Sequence, residues 1–185
     1  ICLKDRTSIH KLIHKSDIKI PGEHNVENYL TAIAAVGSEV PMEVISSVAK
    51  NFGGVEHRIE LVRELDGVRY YNDSIASSPT RTIAGLNSFN QKVILIAGGY
   101  DKNIPYAPLA PKIREKVSLL ILMGATADKI EAEVLKDTSF ELPEIVRVAD
   151  MTEAVKVACE RAVSGDVVMM SPASASFDMY RNFEV

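Results

Sequence analysis

With 185 residues, 46% of them hydrophobic and 25% charged, and a formal net charge of -4, the chain is long enough to bury a core and carries the mixed charge of a globular protein. That balance gives no basic excess for nucleic acid; no apolar run is long enough to cross a bilayer, and the first residues carry no signal-peptide pattern, so no membrane partner and a cytoplasmic setting are expected. Cys2 and Cys159 are far apart, which points to buried or terminal thiols rather than a disulfide framework.

Residues 1–20 space Ile9, Leu12, Ile13, Ile18 and Ile20 without a clean period, as short strands and loops would. From Val26 the residues Tyr29, Leu30, Ile33 and Ala34 recur at helical spacing. Val44, Ile45, Val48 and Phe52 repeat the pattern after Pro41, a residue suited to the first turn of a helix. Gly53-Gly54 ends the period and marks a domain boundary and a plausible hinge, with 1–56 closing one domain and 57–185 forming another. Residues 57–65 and 68–72, joined by Asp66-Gly67, read as a β-hairpin, because Asp-Gly accepts the positive φ angles of a tight turn.

Ser78-Pro79-Thr80 is a helix start continued by Ile83 and Leu86. Strands at 92–97, 117–123, 145–149 and 166–170 then alternate with helices at 109–115, 126–136 and 152–163. Runs as apolar as Val93-Ile94-Leu95-Ile96 and Leu119-Leu120-Ile121-Leu122 belong to parallel strands covered on both faces. The predicted fold class is therefore α/β, a Rossmann-like, mostly parallel sheet flanked by helices. A chain that starts at Ile1 and stops at Val185 without a polar tail is expected to be a piece of something longer.

Ligands of such sheets bind beyond the carboxyl ends of the strands. The loops there are Asn72-Asp73-Ser74, Gly98-Gly99-Tyr100-Asp101-Lys102, Met123-Gly124-Ala125-Thr126 and Ser171-Pro172-Ala173-Ser174-Ala175-Ser176. Gly98-Gly99 allows close backbone approach to a ligand, with Asp101 and Lys102 adding charge; a glycine turn with solvated charges accounts for the same residues. Asp73 suits a ribose hydroxyl or, equally, a turn. Arg58 suits phosphate oxygens or plain solvent. Asn25 and Asn28 share a helix face, although helix capping by Asn25 explains half of that pattern. The serine string suits carboxylate recognition, whereas a single serine there would be a cap. His10 and His14 would suit a metal only on a helix, so no metal site is expected within the chain, and no phosphate-loop motif occurs.

Taken in order, these segments resemble the Mur ligase family over nearly the whole chain. Gly22-Glu23-His24-Asn25-Val26-Glu27-Asn28 is similar to the G-x-H-N-x-x-N segment closing the family's central ATPase domain. His57-Arg58-Ile59-Glu60 resembles the H-R-x-E start of its carboxy-terminal domain, and Tyr71-Asn72-Asp73-Ser74 its N-D-S motif. Ala97-Gly98-Gly99-Tyr100-Asp101-Lys102, and above all the run from Ser171 to Asp178 leading into Asn182-Phe183-Glu184, resemble the D-glutamate-adding branch.

The resemblance implies an ATP-dependent ligase that phosphorylates the terminal carboxylate of UDP-N-acetylmuramoyl-L-alanine and lets D-glutamate displace the phosphate. It places Asn25 and Asn28 at the adenine, Asp73 at the ribose and Arg58 at phosphate. Lys102, Ser77, Ser176, Phe177 and Phe183 would hold D-glutamate. The phosphate loop and the magnesium ligands would precede Ile1, so the chain alone is expected to be inactive. One departure stands out: where the family often reads N-D-S-K-A-T-N, this chain has Ile75 for the lysine, so that cation is either dispensable or moved, for example to Arg81. The rival readings are another amino-acid ligase, including the folylpolyglutamate type, and a nucleotide-binding α/β module with no chemistry of its own.

Overall fold

The computed structural model describes residues 1–4, 8–139 and 141–175. The chain divides into two units, Ile1–Gly54 and Val55–Val185. In the smaller unit, strands β1 (Cys2–Lys4) and β2 (Ile9–Lys11) pair antiparallel, followed by helices α1 (Glu23–Val36) and α2 (Met42–Asn51). Pro41 is the residue capping α2 rather than its first turn. Gly22, not Asn25, caps α1: its φ of 100° suits glycine, and Asn25 lies one turn inside. Ile13 and Ala49 are buried, while Leu30, Val44, Val48 and Phe52 stay exposed although their spacing is that of a packed helix face.

The larger unit is a six-stranded sheet made of β3 (Glu60–Leu65), β4 (Val68–Asn72), β5 (Val93–Gly98), β6 (Val117–Met123), β7 (Glu144–Arg147) and β8 (Val167–Met170). Spatial order is β3-β4-β8-β5-β6-β7, and only the β3–β4 pair is antiparallel. The hairpin turn is the expected one, with φ of 52° at Asp66 and 79° at Gly67. Its first strand starts later than expected, at Glu60, because His57 and Ile59 hold φ of 65° and 46°, which no strand tolerates.

Helices α3 (Pro79–Leu86), α4 (Ala110–Lys116), α5 (Ala127–Leu135) and α6 (Met151–Arg161) cover the sheet. The steps from β4 through β5 and β6 to β7 all run one way along it, and right-handed crossovers then put α3, α4 and α5 on one face. The step from β7 to β8 runs back, which puts α6 on the other. Side chains divide accordingly. Leu95, Ala97, Leu120 and Leu122 pack with Leu86, Ile113, Ile130 and Val134, while Ile94, Ile96, Ile121 and Met123 pack with Ala154 and Ala158. Strands covered twice must be apolar at every position, which is why β5 is buried throughout. Cys159 is exposed beside its buried neighbour Ala158, so the apolar stripe of α6 runs one residue away from the expected one.

Because β8 inserts between β4 and β5, the loops leaving these three strands lie side by side at one end of the sheet. That topology assembles the site.

Candidate functional site

Asp73 follows β4 directly, and its backbone amide donates to Met170 O at 2.8 Å, tying it to the end of β8. Its side chain, 3% exposed, takes two hydrogen bonds: Ile59 N donates to Oδ1 at 3.2 Å and Ser171 Oγ to Oδ2 at 2.7 Å. Ser171 Oγ also lies 3.0 Å from Thr82 Oγ1, at the start of α3. Burial pushes the Asp73 carboxyl above the ordinary aspartate range; the bonds from Ser171 and Ile59, and then the charges of Arg58 and Arg81, pull it back.

Arg58 is exposed between the two residues of positive φ. This unusual turn is tied down on each side. His57 N donates to Glu60 Oε2 at 2.8 Å, Ile75 N to His57 O at 3.3 Å, and Asn72 Nδ2 lies 3.0 Å from His57 Nδ1. Strained backbone survives only where its surroundings over-determine it, and here the tied-down turn carries an arginine whose charge is felt at Asp73.

Lys102 and Ser77, 25 residues apart, meet at this rim: Lys102 Nζ donates to both Ser77 O and Ser77 Oγ at 3.2 Å. Arg81 Nη1 donates to Ile75 O at 3.2 Å, so a second cation rests on the same loop. Next to Lys102, Asp101 pairs with Lys129 of α5 and accepts from Asn103 N at 2.8 Å; the Lys129 bond, then the amide, hold its carboxyl below the usual aspartate range. Gly98 and Gly99 are required here, with φ of 114° and 140°, and a Cβ on either would overlap a carbonyl oxygen, of Met123 or of Ala175.

Two members of the serine string have separate internal partners. Ser171 and Ser174 are buried and turned inward, Ser171 to Asp73 and Ser174 to the hydroxyls of Tyr106 and Thr126. Ser176, Phe177 and Phe183 lie outside the described residues. Asn25 and Asn28 belong to the smaller unit, where Asn25 Nδ2 donates to Pro21 O at 2.6 Å and Asn28 Nδ2 to Asn25 Oδ1 at 3.2 Å. Among the described residues no three His, Cys, Asp or Glu side chains are grouped to hold a metal, and no helix is long and apolar enough to cross a membrane. Thr126 was legible in the sequence only as part of a strand-end loop, and Tyr106 and Lys129 were not legible at all, since nothing local distinguishes them from core or surface residues.

Comparison with known proteins identifies the family and the fold. A family model described as Mur ligase, glutamate ligase domain, matches residues 57–174. UDP-N-acetylmuramoylalanine--D-glutamate ligase of Acetivibrio thermocellus is 58% identical over 190 residues, covering 100% of this chain and 40% of the relative. The ligase of the same name from Clostridium acetobutylicum is 55% identical, covering 95% and 38%. The chain thus spans about two fifths of the length of these curated relatives. Among solved structures, E. coli FolC in complex with ADP superposes with a TM-score of 0.65 at 16% identity over 94% of this chain and 41% of its own. MurF from Acinetobacter baumannii gives 0.59 at 16% identity over 82% and 35%. At such identities these two likenesses establish the fold alone.

Proposed function

This chain belongs to the Mur ligase family, and from that premise we propose that it is the carboxy-terminal part of a cytoplasmic, ATP-dependent ligase that joins D-glutamate to UDP-N-acetylmuramoyl-L-alanine for peptidoglycan. On this reading residues 1–56 end the central ATPase domain and 57–185 form the amino-acid-binding domain. The observation that carries the site is the meeting of Lys102 with Ser77, an ammonium held by a hydroxyl and a carbonyl at the rim where the loops of β4, β5 and β8 converge.

In the reaction, a carboxylate oxygen of the nucleotide substrate takes the γ-phosphoryl group of ATP. The D-glutamate amine then attacks the carboxyl carbon, the C–O bond to phosphate breaks, and the amine loses a proton. Lys102 neutralises a carboxylate of the incoming amino acid, with Ser77 fixing the ammonium and offering its hydroxyl to the same group. Ser176, Phe177 and Phe183 complete that binding. Arg58, carried on that tied-down turn, meets phosphate oxygens. Asp73 takes a ribose hydroxyl: a carboxylate offers about four lone-pair sites, and among the described residues two are used internally. Asn25 and Asn28 serve the adenine. Magnesium, when bound, screens phosphoryl charge, and its ligands are assigned to the rest of the longer protein.

The test is a panel of amino acids supplied to the full-length protein with ATP and UDP-N-acetylmuramoyl-L-alanine, following ADP release and product mass. Turnover with D-glutamate and not with L-glutamate, L-alanine, L-lysine or diaminopimelate is expected. Turnover with one of the others in place of D-glutamate overturns the assignment, and no turnover with any of them overturns the enzyme.

A further inference from the structure

Three hydroxyls meet inside the larger unit. Ser174 Oγ lies 2.7 Å from Tyr106 Oη and 2.9 Å from Thr126 Oγ1, and the three residues are 2%, 4% and 0% exposed. They come from segments following β8, β5 and β6, with Tyr106 and Ser174 separated by 68 positions. Burying three polar groups is costly unless they satisfy one another, and a hydroxyl, with one proton and two lone pairs, can serve two neighbours at once. The cluster therefore persists only if these segments keep a fixed spacing.

That spacing frames the segment carrying Lys102. On its leading side, Thr126 N donates to Gly99 O at 3.0 Å and Tyr100 N to Ala175 O at 2.6 Å. On its trailing side, Tyr106 is anchored through its hydroxyl to Ser174. Residues 99–106 are pinned at both ends to the same hub, and Lys102 projects from the middle, reaching Ser77.

We infer that Tyr106, Thr126 and Ser174 are positioning residues for the amino-acid substrate: their buried hydroxyl hub fixes Lys102 where it meets a ligand carboxylate. The inference rests on the function proposed above. Loosening the hub blurs the position of one charge without touching nucleotide-binding groups, so its signature is selective. Contact geometry at a charged anchor is sensitive to small displacements.

The experiment uses the full-length protein with Thr126→Val, Ser174→Ala and Tyr106→Phe, each alone and combined with Lys102→Ala. Thr126→Val and Ser174→Ala should raise KM for D-glutamate about tenfold, the loss of roughly one hydrogen bond's free energy at the anchor. KM for ATP should move less than about twofold, and Thr126→Ser should restore the original KM for D-glutamate. In the Lys102→Ala background the same changes should add nothing further, since they act through that ammonium. Tyr106→Phe removes one oxygen and no carbon, which keeps a readable variant should Ser174→Ala not fold. An unchanged KM for D-glutamate, equal shifts for both substrates, or full additivity with Lys102→Ala overturns the inference. Failure of the unsubstituted protein to use D-glutamate instead overturns the proposed function, so the two failures are distinct.

Discussion

Asp73→Ala removes the acceptor at the centre of the rim. The buried Ile59 amide loses its partner, a loss of about 1–3 kcal/mol for an orphaned donor. The Ser171 hydroxyl forfeits a charge-assisted bond but falls back on Thr82 Oγ1, 3.0 Å away. Relief from desolvating a carboxylate offsets part of the damage, leaving a net destabilisation of about 2 kcal/mol. Asp73→Asn behaves differently: its oxygen still accepts from Ile59, its amide donates to Ser171, and that hydroxyl turns its proton to Thr82, so the cost stays under about 1 kcal/mol. Urea unfolding followed by circular dichroism separates the two, since about 2 kcal/mol moves the midpoint by roughly 1 M. Asparagine as disruptive as alanine, or alanine without effect, would refute this account of the network.

The same residue sets a pH dependence. Burial raises the Asp73 carboxyl above its ordinary 3.8, so between that value and the raised one the folded chain holds a proton that the unfolded chain has released. Stability contributed there falls as pH rises through that interval, and Asp73→Asn should remove this part of the slope in unfolding curves taken at successive pH values. A slope unchanged by the substitution would exclude Asp73 as its source. Gly99→Ala should break the approach of the loop to Ala175, because the new Cβ overlaps that carbonyl and φ is 140°. A loss of about 2 kcal/mol or more in unfolding free energy checks it, and a neutral result contradicts the packing described. The 185-residue chain mixed with ATP and both substrates should release ADP no faster than background; turnover would show that the catalytic groups assigned elsewhere lie within it.

Much of this fold is readable in one dimension. Runs such as Val93–Ile96 declare strands covered twice, Asp66-Gly67 declares a hairpin, and Ser78-Pro79 a helix start, because each signal is local sterics or local burial. Strand order is not local. That β8 slips between β4 and β5 depends on crossover direction, yet this insertion is what sets the loops carrying Asp73, Lys102 and Ser171 at adjacent strand ends. The positive φ at His57 and Ile59 was hidden for a similar reason, since it is imposed by ties to residues distant in sequence, among them Asn72, Asp73 and Ile75. Asn25 looked like a cap until Gly22 took that place. Serines read alike whether they face water or core, so the inward turn of Ser171 and Ser174 could be learned only from their distant partners. The pairing of Tyr106 with Ser174 had one available hint, that both follow strands ending at the same edge of the sheet.

The proposed function depends on the Lys102 ammonium being the anchor for an amino-acid carboxylate. The direct measurement is the concentration of D-glutamate giving half-maximal rate in the full-length protein before and after Lys102→Ala, with ATP saturating. Loss of a charge-assisted contact of about 1.5–3 kcal/mol should raise it roughly 10- to 150-fold, with the ATP requirement unchanged. A shift in the ATP requirement alone, or no shift in either, would contradict the account.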